Sequence, residues 1–252
     1  MNNSGMEYLA MQAGIGITRH VGGMAASQEL LTLCHIADAR NVLNVGCGIG
    51  SGAVDVAQKY GCHVVGIDLL PAMLAWAQRR ACSAGVHGQM EFSTADVLHL
   101  PFPDDSFDVV YAESVLLFVA DKAQAIQECI RVTRPGGYVG LNEGFLRGEI
   151  PADVAAKVHN FVGPNFENDA TWRQLWETAA LRTRTMTVYP IDVAGELKSR
   201  VQCGWSWFLR AEGRAARLYA TDPAARRAMN AEFAAAPIAF GYGGYALYAG
   251  MK

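Results

Sequence analysis

One stretch constrains this chain more than any other: Val42-Leu43-Asn44-Val45-Gly46-Cys47-Gly48-Ile49-Gly50-Ser51-Gly52. A short apolar run of strand type leads into alternating glycines. Ala53, Val54, Val56 and Ala57 then follow at helical spacing. The order is therefore strand, tight turn, helix. Glycine lets backbone approach a ligand with no Cβ in the way. The helix N-terminus behind the turn offers free N–H groups and a dipole that favours an anionic group. Eighteen residues after Gly50, Asp68 closes a second apolar run, Cys62–Asp68. A carboxylate there can accept two hydrogen bonds from vicinal ribose hydroxyls. Open sheets of parallel strands bind ligands at this place, outside the carboxyl ends of the strands.

The pattern continues along the chain. Pro71 suits the first turn of a helix whose inner face carries Met73, Leu74 and Ala77, with Gly85 as its stop. Met90–Ala95 and Phe107–Ala112 read as strands. Asp121 reads as the N-cap of a helix with Ile126 and Ile130 on one face, ended by Pro135 and followed by a strand from Tyr138. Asp104, Asp105 and Asp108 read as turn residues. Strands separated by helices imply parallel β-α-β units with right-handed crossovers. Residues 1–40 read as a loop and then a helix at about Ser27–Ala39. Residues 151–180 read as helical, with Trp172 and Trp176 one turn apart. Arg182–Tyr189 alternates like a half-exposed strand, 191–236 is Ala- and Arg-rich and helical, and Phe240–Gly250 is a final strand. The expected fold is α/β: a doubly wound, mostly parallel seven-stranded sheet with helices on both faces and an added helical cap.

Composition narrows the function classes. Hydrophobic residues at 51% against 18% charged supply a core, and a net charge of −3 argues against a nucleic-acid partner. From Leu181 to Arg227 nine basic and four acidic residues leave a local +5, read as a solvated helical face or as a cap that attracts an anion. No run reaches the roughly 18 apolar residues of a membrane span. Met1–Ala10 lacks a basic start followed by an apolar run, so a cytoplasmic location with free thiols is expected. The cysteines form no CxxC pair and the histidines no HExxH spacing, so no metal site is expected.

Gly48-x-Gly50-x-x-Ala53 with Asp68 also fits a dinucleotide fingerprint. Further segments shift the balance: Ala95-Asp96-Val97-Leu98-His99-Leu100-Pro101-Phe102, then Asp104-Asp105-Ser106-Phe107-Asp108-Val109-Val110, Glu113-Ser114-Val115-Leu116-Leu117-Phe118-Val119, and Arg131-Val132-Thr133-Arg134-Pro135-Gly136-Gly137. Over Asn41–Asn142 the chain closely resembles class I, Rossmann-like S-adenosylmethionine-dependent methyltransferases, in particular the branch acting on quinones, sterols and other small molecules. The resemblance fades through 150–236. With no internal repeat and no flexible linker, the chain reads as one domain over 1–252: an N-terminal lid (1–40), a cofactor-binding core (41–150), helices and a strand (151–190), a helical cap insertion (191–239) and a last strand (240–252).

By that resemblance S-adenosyl-L-methionine is the cofactor and a small molecule the methyl acceptor; an oligomer stays open. Gly46, Gly48 and Gly50 would line the methionine part, with Cys47 contributing backbone. Asp68 would hold the ribose and Leu69 lie beside the adenine. Asp96 would accept from the adenine amino group and Val97 offer its N–H. Glu113 and Ser114 would stand around the methionine and the methyl group. Two positions depart from the family. Asn44 replaces the usual acid near the cofactor ammonium, which implies weaker binding, and Leu117 and Phe118 stand where relatives often carry His. His20 and His159 are candidate bases, and none is assigned. Trp205, Trp207, Phe208, Tyr242 and Tyr245 would wall the acceptor or pack the cap. Cys34, Cys47 and Cys203 weakly invite an arsenite-methylating reading. Two alternatives stand beside this one. A nicotinamide-dependent oxidoreductase would need a Tyr-x-x-x-Lys pair or a substitute after the fourth strand, which is absent. A non-catalytic cofactor-binding module is the other.

Overall fold

The computed structural model describes residues 3–163, 166–192 and 205–252. Seven strands form one sheet: β1 (Asn41–Val45), β2 (His63–Asp68), β3 (Met90–Thr94), β4 (Phe107–Glu113), β5 (Thr133–Leu146), β6 (Arg182–Pro190) and β7 (Gly243–Met251). Their order is β3-β2-β1-β4-β5-β7-β6. β1 to β5 pair in parallel, and β7 alone runs against both its neighbours. This reversed strand, inserted between β5 and β6, sets the sheet apart from the usual dinucleotide-binding order β3-β2-β1-β4-β5-β6.

The parallel strands are continuous apolar runs because both faces are covered; Phe107 to Ala112 of β4 are all buried. On one face Leu43, Val110 and Leu141 pack with Ile126 and Ile130 of α5 (Lys122–Val132). Trp172 and Trp176 of α7 (Asp169–Thr178) close that layer over Tyr248. Each such ring buries roughly 150–250 Å², so these two contribute several kcal/mol apiece. On the other face Val42, Tyr111 and Leu247 meet Leu30 and Cys34, and Val54 and Ala57 of α3 (Ser51–Tyr60). The local signals hold where they were strong. Asp121 Oδ1 accepts from Gln124 N at 2.9 Å, and Pro71 opens α4 (Pro71–Ser83). Edge strand β6 alternates between half-buried and exposed in its second half.

Four expectations change, the first being that the fifth strand begins at Thr133 rather than Tyr138 and takes in Pro135-Gly136-Gly137. Residues 3–40 form two helices, α1 (Asn3–Ile15) and α2 (Gly23–Leu33), and a 3-10 turn at Ile36–Asp38. α1 has little amphipathic signal because Tyr8, Met11, Gln12, Ala13 and Ile15 are buried around most of its circumference. Asp108 is not a plain turn residue. It is buried, accepts from Arg40 N (2.5 Å) and Asn41 N (2.9 Å), and pairs with Arg134, so it anchors the start of β1. At the other end, helix α9 (Pro223–Tyr242) continues past its internal Pro237, and the last strand begins at Gly243 rather than Phe240.

Helices α1, α6 (Ala152–Val162), α8 (Trp205–Thr221) and α9 form a layer with its own core. Tyr8, Met11, Ile15, Val158, Ala211, Ala225 and Met229 pack there with Leu117, Phe118 and Leu146 from the strand ends. A tryptophan–arginine cluster clamps this layer to α4. Trp76 Nε1 donates to Ala13 O at 2.9 Å, and Arg214 lies over both Trp76 and Trp207 while donating to Ile15 O. Arg226 donates to Tyr219 O and Ala220 O, and Arg227 pairs with Glu7. These arginines of the basic stretch join helix to helix. Among the described residues no helix is long and apolar enough to cross a membrane.

Candidate active site

The site lies at the carboxyl ends of β1 to β4. Cys47 N donates to Ile67 O (2.8 Å) and Gly48 N to Asp68 Oδ2 (2.9 Å), so the glycine turn is tied to the end of β2. Asp68 Oδ1 accepts from Leu70 N at 2.9 Å. Each oxygen keeps a lone pair for a ligand. Burial pushes this carboxyl up, against the pull of the N–H groups. Next along the sheet edge, Asp96 Oδ1 accepts from Leu98 N at 3.0 Å. Leu69 is 42% exposed beside it, an uncovered apolar side chain against which a flat base can lie.

A cavity of about 280 Å³ is lined by Gly46, Gly48, Asp68, Leu69, Asp96, Val97, Glu113 and Ser114. A second, of about 680 Å³, is lined by Asn44, Gly46, Cys47 and Glu113 together with Trp207, Phe208 and Glu232 of the cap. The two meet at Thr18–His20, Gly46 and Glu113. Gly50 lines neither cavity. A Cβ on it would lie 2.8 Å from Ala77 Cβ and 2.9 Å from Ala77 Cα, at φ +77°, so its lack of a side chain serves the approach of α3 to α4. Gly48 does line the crevice, and Thr18 of the N-terminal segment sits where its Cβ would be.

That segment, residues 18–22, is docked as a lid. Val21 N donates to Ser114 Oγ (3.1 Å), and Asn142 Nδ2 donates to Val21 O (2.8 Å). Ser114 holds a left-handed backbone, φ 55°, with its N–H on Asn142 O at 2.7 Å. For a non-glycine residue this conformation is uncommon. Glu113 Oε1 accepts from Ser27 Oγ at 2.6 Å, and His20 Nδ1 lies 3.6 Å from the same oxygen. Arg19 pairs with Glu232 of α9, which links the lid to the cap.

Glu143, which the sequence reading missed, holds the turn after β4. It is fully buried. Its Oε1 accepts from Val115 N (3.0 Å) and Leu116 N (2.8 Å), and its Oε2 from Leu117 N (3.2 Å). Burial raises its carboxyl to about 7, opposed by these three N–H groups and by Lys122. Its only sequence signal is an acid inside the apolar run Leu141–Leu146.

Beyond the turn the first cavity is apolar, walled by Leu117, Phe118, Phe145, Val158, Phe161 and Phe166. Of the aromatics expected there, Trp207 and Phe208 line the second cavity, Tyr242 joins the cap core, and Tyr245 stacks on Tyr189. The Trp205 side chain and Cys203 fall outside the described residues. His159 is exposed on α6 and lines neither cavity. Cys34 packs on Gly140, its thiol pushed up to about 12 by burial, and burial raises Cys47 as well. Among the described residues no group of His, Cys, Asp and Glu is placed to hold a metal, so the arsenite reading gains no geometry.

Residues 43–141 match the family model described as methyltransferase domain. The methyltransferase GfsG of Streptomyces halstedii is 33% identical over 139 residues, 55% of this chain and 50% of that protein. The match thus spans half of that relative's length. Among solved structures, the phosphoethanolamine N-methyltransferase 2 of Haemonchus contortus, in complex with phosphomonomethylethanolamine and S-adenosylhomocysteine, superposes with a TM-score of 0.71. It is 19% identical, over 100% of this chain and 58% of that one. The [4+2]-cyclase SpnF superposes at 0.74, is 20% identical, and is covered to 94% by 99% of this chain. The architecture is thus the Rossmann-like methyltransferase fold. A cyclase on that fold shows that function has to be argued from the site.

Proposed function

We propose that this chain, with its methyltransferase domain at residues 43–141, transfers a methyl group from S-adenosyl-L-methionine to a compact apolar acceptor. The observation that carries the reading is the row of polar groups along one sheet edge. The glycine turn, Asp68 and Asp96 stand at the ends of β1, β2 and β3 with the uncovered Leu69 between the two acids. This row fits a nucleoside with an amino-acid tail. Asp68 would hold the ribose hydroxyls, Leu69 and Asp96 the base, and Gly46, Asn44 and Glu113 the tail. When bound, the cofactor supplies a methyl carbon already activated by a positively charged sulfur. The protein's task is then alignment, which contributes on the order of 7–11 kcal/mol where it is good.

The chamber walls support an acceptor of the quinone- or sterol-like kind that the sequence resemblance suggests. Arg19 is the one Arg or Lys among the described residues lining it, and Glu232 neutralises it. A phosphorylated acceptor such as the one in the Haemonchus complex finds no free cation there. The reversed β7 counts against a nicotinamide enzyme, and no Tyr-x-x-x-Lys pair follows β4 directly; the one at Tyr248–Lys252 lies at the end of the last strand, with Tyr248 buried.

Isothermal titration tests the reading. S-adenosylhomocysteine should bind and NADH should not. Asp68→Asn should weaken the former at least tenfold, since hydrogen bonds to a charged group contribute about 1.5–3 kcal/mol each. Tight NADH binding with no response to the homocysteine nucleoside would sink it.

A further inference from the structure

We infer that His20, aimed by Glu113, is the proton acceptor of this site, and that the methyl acceptor therefore carries a hydroxyl made acidic by conjugation, as in a phenol or enol. This deepens the methyl-transfer reading and rests on it.

The imidazole is built into the lid, not draped on it. Its Nδ1 is buried and has no hydrogen-bond partner, and the Glu113 carboxylate stands 3.6 Å from it through Oε1. Ser27 Oγ donates to that oxygen at 2.6 Å and holds the carboxylate, whose side chain is 9% exposed. The neighbouring residues are pinned, Val21 to Ser114 and Asn142, Arg19 to Glu232. The ring is 23% exposed and lines both cavities where they meet. A carboxylate at Nδ1 selects the tautomer with the proton on that nitrogen. Nε2 would then be a bare lone pair on a ring that borders both cavities. Catalytic hydrogen bonds are often long before a substrate is bound and tighten afterwards.

A base here has a use only if the nucleophile must lose a proton. A thioether, or an amine already neutral such as an aniline, brings its own lone pair. A conjugated hydroxyl does not: its oxygen bonds to the methyl carbon as its proton passes to Nε2. The pair of the broken carbon–sulfur bond stays on sulfur, and the new imidazolium rests against the Glu113 carboxylate. The walls of Leu117, Phe118, Phe145 and Phe161 suit an aromatic body attached to that hydroxyl.

Two measurements test this on the intact protein. Long-range proton–nitrogen spectra with S-adenosylhomocysteine bound should show His20, assigned by its loss in His20→Gln, with its proton on Nδ1. Glu113→Ala should abolish that preference. Transfer from methyl-labelled S-adenosylmethionine should then favour 1-naphthol and catechol over aniline and N-methylaniline, amines that are neutral at about pH 7. In His20→Gln, kcat on the phenols should fall about 10²–10⁴-fold, while the Kd for S-adenosylhomocysteine stays unchanged. A proton on Nε2 in the wild type, undiminished turnover in His20→Gln, or methylation of the amines alone overturns the inference while leaving the cofactor assignment standing. Absence of S-adenosylhomocysteine binding overturns both.

Discussion

Glu143 ties stability to pH in a direction opposite to that of an ordinary carboxylate. Burial raises its carboxyl from 4.5 to about 7. Ionising it in the folded protein therefore costs about 3 kcal/mol more than in the unfolded chain, at 1.36 kcal/mol for each tenfold change in proton affinity. Between these two values the folded state binds the extra proton. The stabilisation is thus complete below pH 4.5 and is lost as pH rises through 7. Glu143→Gln has no proton to exchange. Urea unfolding of both proteins at pH 5 and pH 8.5 measures the difference. The advantage of the wild type over the variant should shrink by about 2–3 kcal/mol across that interval, equivalent to a relative Tm change of roughly 5–10 °C for a domain of this size. The half-buried Asp68 titrates in the same direction, but it is common to both proteins and cancels. Parallel pH profiles, with the gap constant to within about 0.5 kcal/mol, would refute the argument. The three N–H bonds would then hold Glu143 ionised throughout.

Two other substitutions separate ligand contact from packing. Asn44 is buried and lines the second cavity next to the glycine turn, so Asn44→Asp should tighten S-adenosylmethionine binding about fivefold by calorimetry, the difference between a charged and a neutral hydrogen bond. An unchanged or weaker affinity would show that residue 44 does not reach the ammonium group. Gly50→Ala forces a left-handed backbone and meets the Ala77 backbone at 2.9 Å. It should cost roughly 2–5 kcal/mol of stability and leave the S-adenosylhomocysteine affinity of the folded fraction intact. Lost affinity at unchanged Tm would put Gly50 back in the cofactor site.

Most of the sheet was legible because its signals are local. The runs at Asn41–Val45, Cys62–Asp68 and Phe107–Ala112, the Asp121 cap and Pro71 each act within a few residues, and the structure keeps them all within a residue or so. Of the expected cofactor residues, all but Gly50 line one of the two cavities. Strand-end positions follow from strand periodicity, so the row Asp68, Asp96, Glu113 was readable as soon as the strands were. Glu143 was not. Its significance comes from three N–H groups nearly thirty residues earlier in the chain. Trp207 and Phe208 do line the second cavity, whereas Tyr245 stacks on Tyr189 and Phe145, Phe161 and Phe166 wall the first, since apolar composition does not say which aromatic faces a ligand and which packs on a neighbour.

The chain's own order of residues determined the alternation of strand and helix, the glycine turn and the acids at strand ends. These need only backbone sterics, helix capping and the periodicity of burial. Tertiary structure alone decided that β7 runs backwards between β5 and β6, that α1 crosses to join α8 and α9, and that residues 18–22 fold onto Ser114, Asn142 and Glu113. Those contacts join residues up to some two hundred positions apart. The free energy that selects them is burial shared between distant surfaces, and it has no local pattern to read.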